Sequence, residues 1–255
     1  MRDFALVRPA SLADAAAAFA GGGEATYLAG GHTLIPAMKS RLRMPDAVID
    51  LAGLGLSGIS TDGKRLWIGA MTRHADVATG ARAIPGLAAL ASGIGDAQVR
   101  NRGTLGGSVA NNDPAADYPA ACLALDAVIE TDRGAHTADD FFQGMFSTAL
   151  AEGEIITRIG FAIPARSAYA KFRHPASRYA VVGVYVADHG GHWRVAVTGA
   201  GPGVFRWAEA EAAIAAGGAL PAMAADDLNS DIHAGPEYRA HLCGVMLKQA
   251  LAGLA

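Results

Sequence analysis

Residues Tyr27 to Leu42 read YLAGGHTLIPAMKSRL, and the glycine pair inside them is where the reading of the fold begins. A short apolar run at 26–28 leads into Gly30 and Gly31, and Thr33 and Pro36 then open a segment with helical spacing. Adjacent glycines after a strand let the backbone turn sharply and approach a ligand with no Cβ between them. A helix that starts just beyond presents unpaired N–H groups and its positive end to an anion. A second stretch, Arg102 to Pro119, reads RGTLGGSVANNDPAADYP and repeats the device, with Gly106 and Gly107 flanked by Thr104 and Ser108. One glycine pair is an ordinary loop feature. Two in one chain can grip the two phosphates of a pyrophosphate, one turn from each of two subdomains. Neither stretch has the G-x-G-x-x-G spacing of a Rossmann turn or the G-K-S/T ending of a P-loop, which disfavours a nicotinamide Rossmann site and an ordinary P-loop.

The first 58 residues alternate strand, helix, strand, helix, strand, the pattern of parallel α/β units. FALVRP is a short extended segment stopped by Pro9; SLADAAAAFA has Ser11 as N-cap and Asp14 in its first turn, and GGG at 21–23 stops it. Pro36 falls in the first turn of the next helix, where a missing N–H does no harm. DAVIDLAGL supplies the third strand.

Residues 59–166 read differently. TDG is a tight turn between strand-like runs at 58–60 and 65–68. TRHADVATG and GLAALASGIGDAQVRN are helical, YPAACLALDAVIETD runs from helix to strand, and ADDFFQGMFSTAL and EIITRIGFAIP suggest a short helix and a closing strand. This is an α+β region with mostly antiparallel strands. In residues 167–255, YAKFRHPASRYAVVGVYVAD and GGHWRVAVTGAGP give two or three strands with a Gly-Gly turn at 190–191. The alternation in VVGVYVAD fits a half-buried antiparallel strand. AEAEAAIAAGG, MAADDL and PEYRAHLCGVMLKQALAGL read as helices.

Composition narrows the function classes. Of 255 residues, 51% are hydrophobic and 18% charged, enough apolar material for a buried core. A formal net charge of −3 offers no basis for nucleic-acid binding. The basic clusters KSRLR (39–43) and RNR (100–102) are either solvated surface or contacts for phosphates or an acidic partner. Two cysteines, Cys122 and Cys243, are too few for a disulfide framework or an all-cysteine metal or iron–sulfur site, and both read as small core hydrophobes. There is no signal-peptide pattern and no apolar run of about 18 residues, so no membrane span is expected and the cytoplasm is the default.

YLAGGHTLIPAMKSRL together with RNRGTLGGSVANNDPAADYPA resembles the FAD-binding medium subunit of molybdenum hydroxylases, of the carbon monoxide dehydrogenase and xanthine dehydrogenase kind. The resemblance runs over nearly the whole chain: KFRHPASRYAVVGV is similar to the start of that family's C-terminal domain, and GPEYRAHLCGVMLKQAL to its last helix. It implies an α+β chain in three parts. Two FAD-binding subdomains (1–58 and 59–166) of the vanillyl-alcohol oxidase type precede a C-terminal domain (167–255) with a small antiparallel sheet and a helix bundle. It also implies a role in electron transfer. Non-covalent FAD would receive electrons from 2Fe–2S clusters on a small subunit, which take them from a molybdenum cofactor on a large subunit, and would pass them to an external acceptor (quinone, NAD or oxygen). Neither molybdenum nor iron–sulfur would sit on this chain. The assembly implied is a dimer of heterotrimers, cytoplasmic or loosely associated with the inner membrane face.

By the same resemblance, the cofactor contacts begin at Leu28. Ala29, Gly30, Gly31, His32 and Thr33, with Thr104, Gly106 and Gly107, would bind the pyrophosphate through N–H and hydroxyl groups, His32 as a positioning residue. Asn111, Asp113 and Asp117 would lie on the ribityl–ADP side, with Asp117 accepting from a ribose hydroxyl. Ile155 or Ile156 would meet the flavin ring, Lys171 would sit near its pyrimidine end, and Tyr179 would pack on or beside it. Each has a plainer reading: Asp113 before Pro114 as a turn former, Lys171 as a surface lysine, Tyr179 as core. No residues stand out as catalytic for substrate chemistry. The alternatives of another class are a stand-alone flavin oxidase or reductase, for which the last 89 residues are small as a substrate-covering domain, and an interaction subunit that has lost FAD, against which both glycine stretches are intact.

Overall fold

A computed structural model of the chain describes residues 1–254. The first unit holds β1 (Ala5–Val7), α1 (Leu12–Ala20), β2 (Ala25–Leu28), α2 (Leu34–Lys39) and β3 (Ala47–Asp50). Its three strands are parallel in the order β1-β3-β2, as the alternation of strands and helices requires. Ser11 caps α1, its Oγ accepting from the Asp14 N–H at 3.1 Å. Ala15, Ile49 and Leu51 form a small core that also takes in Ile155 from the second unit.

The second unit runs β4 (Ile59–Thr61), β5 (Arg65–Gly69), α3 (His74–Gly80), α4 (Pro85–Ser92), α5 (Ala97–Arg100), α6 (Leu105–Asn111), α7 (Tyr118–Ala124), β6 (Val128–Thr131), β7 (Ala135–Thr137), α8 (Ala138–Phe141), β8 (Phe142–Gly144), β9 (Ser147–Thr148) and β10 (Ile156–Ala162). Five strands form one antiparallel sheet in the order β4-β5-β10-β6-β7, while β8 and β9 make a separate hairpin. The Asp62 carboxylate fixes the first turn by accepting from the Lys64 and Arg65 N–H groups at 2.9 and 2.8 Å. The helical run expected at 86–101 breaks into α4 and α5 at Gly93–Gly95, where Gly95 has φ +49°. Gly106 and Gly107, expected in a turn, lie instead in the first turn of α6.

The third unit has β11 (Arg166–Arg173), β12 (Ala180–Asp188), β13 (Trp193–Thr198) and β14 (Phe205–Arg206) in one antiparallel sheet, then α9 (Ala208–Ala215) and α10 (Pro236–Ala252). Two expectations are corrected here. Residues 223–228 do not form a helix. And β12 is not half-buried: each of its nine residues is buried. Tyr185 and Ala187 face the core of the second unit, and Val182, Val184 and Val186 face α10. A strand covered on both faces reads as a continuous apolar run, as AVVGVYVA does here.

Cys122 and Cys243 are buried and free in different cores. Burial pushes both thiols up, Cys243 to about 12 with the Arg239 charge opposing, so both are uncharged packing groups. Among the described residues no helix is long and apolar enough to cross a membrane.

Candidate functional site

The three units meet around a cleft of about 560 Å³. Its first wall is the segment from β2 to α2. Gly30 lies against the second unit so closely that a Cβ there would stand 2.8 Å from the Gly103 Cα and closer still to the Arg102 carbonyl oxygen. Only glycine lets these two backbones touch. Gly31 has φ +79°, in the left-handed region, and turns the chain into α2. The N–H groups of Gly31, His32 and Thr33 have no partner among the described residues, and the Thr33 side chain does not cap α2. Three free amides at a helix start, beside a free hydroxyl, make an anion cradle.

The second glycine stretch is built differently. The N–H of Leu105 donates to the Thr72 carbonyl at 3.0 Å and that of Gly106 to the Ala70 carbonyl at 2.8 Å. Thr104 Oγ1 accepts from the Gly107 N–H at 3.2 Å as the cap of α6. The amides expected to face a pyrophosphate here are therefore paired within the protein. What this stretch offers the cleft is the remaining hydroxyl proton of Thr104 and the Ser108 hydroxyl. Its glycines serve close packing. A Cβ on Gly106 would sit 2.6 Å from the Ala70 Cβ, and one on Gly107 would reach 3.5 Å from the Ala29 Cβ, so the two stretches meet at the edge of the cleft.

Ile155 and Ile156 supply an apolar wall, both buried and both lining the cleft. The Ile155 N–H donates to Asp132 Oδ1 at 2.8 Å, and the Tyr27 hydroxyl donates to the Gly153 carbonyl at 3.0 Å, pinning the segment between first and second units. Asn111, Asp113, Asp117 and Tyr179 also line the cleft, Tyr179 from its half-exposed rim. Asp113 Oδ1 accepts from the Ala115 N–H at 2.9 Å, a local turn bond before α7.

Leu28 and Lys171 do not line the cleft. Leu28 ends β2, and its side chain packs at the Gly31 turn. Lys171 points inward from β11, where its ammonium lies 2.9 Å from Asp117 Oδ1 and donates to the Gly93 carbonyl at 3.0 Å and the Arg178 carbonyl at 3.1 Å. The Tyr169 hydroxyl donates to the same carboxylate at 2.5 Å. Burial pushes the Asp117 carboxyl up from its ordinary range, and the Lys171 charge and the Tyr169 hydroxyl oppose that. A buried carboxylate has to be paired, and the Lys171 ammonium and the Tyr169 hydroxyl pair this one. Lys171, expected at the pyrimidine end, and Asp117, expected on the ribose, form an ion pair with each other, Asp117 in the cleft lining and Lys171 behind it.

His74 belongs to the lining and escaped the sequence reading, which absorbed it into a helical segment. It starts α3 under Gly103, whose carbonyl accepts the His74 N–H at 3.0 Å. Its ring packs on Tyr118 with centroids 5.3 Å apart. It is 5% exposed, and its Nδ1 is buried with no partner. Burial, and then the charges of His32 and Arg100, lower its pKa to about 4, so the ring is neutral near pH 7. Arg178 and Ser177, on the segment between β11 and β12, are further lining residues with no sequence signal of their own.

The volume suits a dinucleotide-sized ligand, with a free-amide cradle at one glycine stretch, hydroxyls at the other and an apolar wall beyond them. The residues present therefore fit a flavin dinucleotide.

Comparison with known proteins agrees. Residues 2–165 match the family described as FAD binding domain in molybdopterin dehydrogenase. The chain is 36% identical to the carbon monoxide dehydrogenase medium chain of Afipia carboxidovorans, over 96% of this chain and 94% of that one. It is 35% identical to the nicotine 6-hydroxylase medium subunit of Paenarthrobacter nicotinovorans, over 95% and 94%. Among solved structures, it superposes on a chain of carbon monoxide dehydrogenase from Hydrogenophaga pseudoflava with a TM-score of 0.87 and 35% identity, covering 99% of this chain and 96% of that one. A chain of quinoline 2-oxidoreductase from Pseudomonas putida 86 gives 0.86 at 26% identity, covering 98% and 96%.

Proposed function

The chain belongs to the family of FAD-binding domains in molybdopterin dehydrogenases, as an FAD-binding medium subunit of the molybdenum hydroxylase kind, and from that premise we propose that it is the electron relay of a three-subunit oxidoreductase. Electrons arrive from 2Fe–2S clusters on a small partner subunit, fed by a molybdenum cofactor on a large one, and leave to an external acceptor. The complex works in the cytoplasm as a dimer of heterotrimers, and its organic or gaseous substrate is chosen on the large subunit.

The observation that carries this reading is the meeting of the two glycine stretches at one cleft, with free amides on one side only. FAD, when bound, supplies a carrier able to take and release electrons. This chain's residues hold it in place. The amides of Gly31 to Thr33 neutralise the diphosphate, with the Thr104 and Ser108 hydroxyls opposite. Ile155 and Ile156 keep water from one part of the cleft. The residues named bind and orient the cofactor, and the likeness to the carbon monoxide dehydrogenase medium chain and the nicotine 6-hydroxylase medium subunit supports a relay rather than a self-contained oxidase.

The test is the absorption spectrum of the purified chain, alone and co-expressed with its partners. Yellow protein whose flavin is released by acid, together with activity only in the three-subunit complex, is the expected result. Folded, colourless chain that takes up no added FAD overturns the proposal. Oxidation of a substrate by the chain alone, without partners, replaces it with the stand-alone flavoenzyme.

A further inference from the structure

Residues 174–179, HPASRY, form a strap between β11 and β12 that carries Ser177, Arg178 and Tyr179 to the cleft rim. The strap is closed on itself. The His174 N–H donates to the Tyr179 carbonyl at 2.8 Å, the Arg178 N–H donates to the His174 carbonyl at 2.9 Å, and His174 Nδ1 accepts from the Ala176 and Ser177 N–H groups at 3.2 Å each. Its ties to the rest of the molecule are few. Pro175 to Tyr179 are all exposed. The Arg178 guanidinium reaches the Gly95 carbonyl at 3.4 Å, a long bond, and the His174 ring meets that of His233 at 4.3 Å. Arg178 also sits at φ +62°, unfavourable for a residue with a Cβ, so something has to hold it there.

Besides the strap's own bonds, Lys171 reaches its backbone. Its side chain is 5% exposed, and its ammonium has three donors. They are taken by groups from three separate segments: the Gly93 carbonyl just after α4, the Asp117 carboxylate just before α7, and the Arg178 carbonyl of the strap. The sheet makes room for the arrangement. Lys171 lies opposite Gly183 in the β11–β12 ladder, and a Cβ on Gly183 would collide with the Tyr169 hydroxyl on its way to Asp117.

We propose that Lys171 is a positioning residue, the tether that fixes the 174–179 strap over the flavin cleft. The buried ion pair with Asp117 holds the ammonium in place, and the bond to the Arg178 carbonyl holds the strap. Without the tether the strap opens and flavin leaves faster. The inference rests on the reading of the cleft as the flavin site. One of its two readouts needs no flavin, so failure of that reading and failure of the tether are told apart.

The experiment compares the full chain with Lys171→Met and with the double variant Asp117→Asn/Lys171→Met. Lys171→Met alone leaves a buried carboxylate without its cation; the double variant removes both charges and keeps a neutral buried pair. Amide hydrogen exchange of 174–179, with the β12–β13 ladder as internal reference, reads the strap. The FAD dissociation rate and the visible circular dichroism of bound flavin read the site. A hydrogen bond to a charged donor is worth enough that its loss speeds strap exchange and flavin release by roughly tenfold. Both variants are expected to show this, with the reference ladder unchanged. Strap exchange and flavin release at the parental rate in either folded variant overturn the tether. So does exchange that rises equally in the strap and the ladder, because that marks a general loss of stability.

Discussion

His74 is an ionisable side chain buried in the cleft lining with an unpartnered ring nitrogen, and it makes the protein's stability depend on pH. In the unfolded chain it takes up a proton near the ordinary histidine value of 6.5; in the folded chain it does so only near 4, because burial opposes the charge. Between these values the unfolded state binds more protons, so stability falls as the pH drops from 6.5 toward 4 and the contribution is fully present above 6.5. Moving from pH 7 to pH 5 is expected to cost about 2 kcal/mol from this group. Urea unfolding at the two pH values, on the parent and on His74→Leu, checks it. The variant should lose that part of the pH dependence, and an unchanged difference between the two pH values would show that His74 is not its source. Nothing in TRHADVATG marks this histidine for burial, because the packing comes from Gly103 and Tyr118, which are remote in sequence.

At the scale of elements, two short glycine-bearing segments touch, and the contact sets the shape of the cleft. Gly30→Ala would drive a methyl group against the backbone of Arg102 and Gly103, neither of which ends in a flexible side chain. The expected outcome is a separation of the two segments that costs about 1–3 kcal/mol of stability and weakens FAD binding by at least about tenfold, since the amides of Gly31 to Thr33 move with the turn. Flavin titration followed by fluorescence, beside a urea melt, measures both, and unchanged affinity in a folded variant would separate the packing from the site. The glycine pairs themselves were legible in the sequence, but their division of labour was not. Whether an amide is free or already paired depends on what crosses above it, and here Ala70 and Thr72 take the N–H groups of Gly106 and Leu105. Likewise the run VVGVYVAD shows an apolar strand, but a second covering layer is invisible until α7 and α10 are in place.

The whole molecule is more interlocked than its separate sheets suggest. The family match ends at residue 165, yet Tyr185, Ala187 and Ala196 of the C-terminal sheet lie in the same core as Leu87, Leu90 and Phe161. The Thr198 hydroxyl donates into the 114–116 segment, with carbonyls of Pro114 and Ala116 at 3.0 and 2.7 Å. Cutting the chain after residue 165 therefore uncovers one face of the main core and removes both the strap and the partner of Asp117. A 1–165 fragment is expected to lack cooperative thermal unfolding and to bind no FAD, by calorimetry and flavin titration. A fragment that melts sharply and turns yellow would show that the C-terminal unit is an independent addition.

The sequence alone determined most of the strand and helix order, the parallel first unit and the mostly antiparallel remainder, a net charge of −3 that gives no basis for nucleic-acid binding, and the two glycine stretches that bring a dinucleotide to mind. These follow from local chemistry: which residues turn, cap, alternate or carry charge within a few positions of one another. Tertiary structure decided the rest. It paired Lys171 with Asp117 at the cleft wall, brought His74 into the lining, and paired the amides of the second glycine stretch while leaving those of the first free. The physical reason is the same in each case: a polar group's role depends on whether water or a partner remains to satisfy it, and burial is settled by segments far apart along the chain.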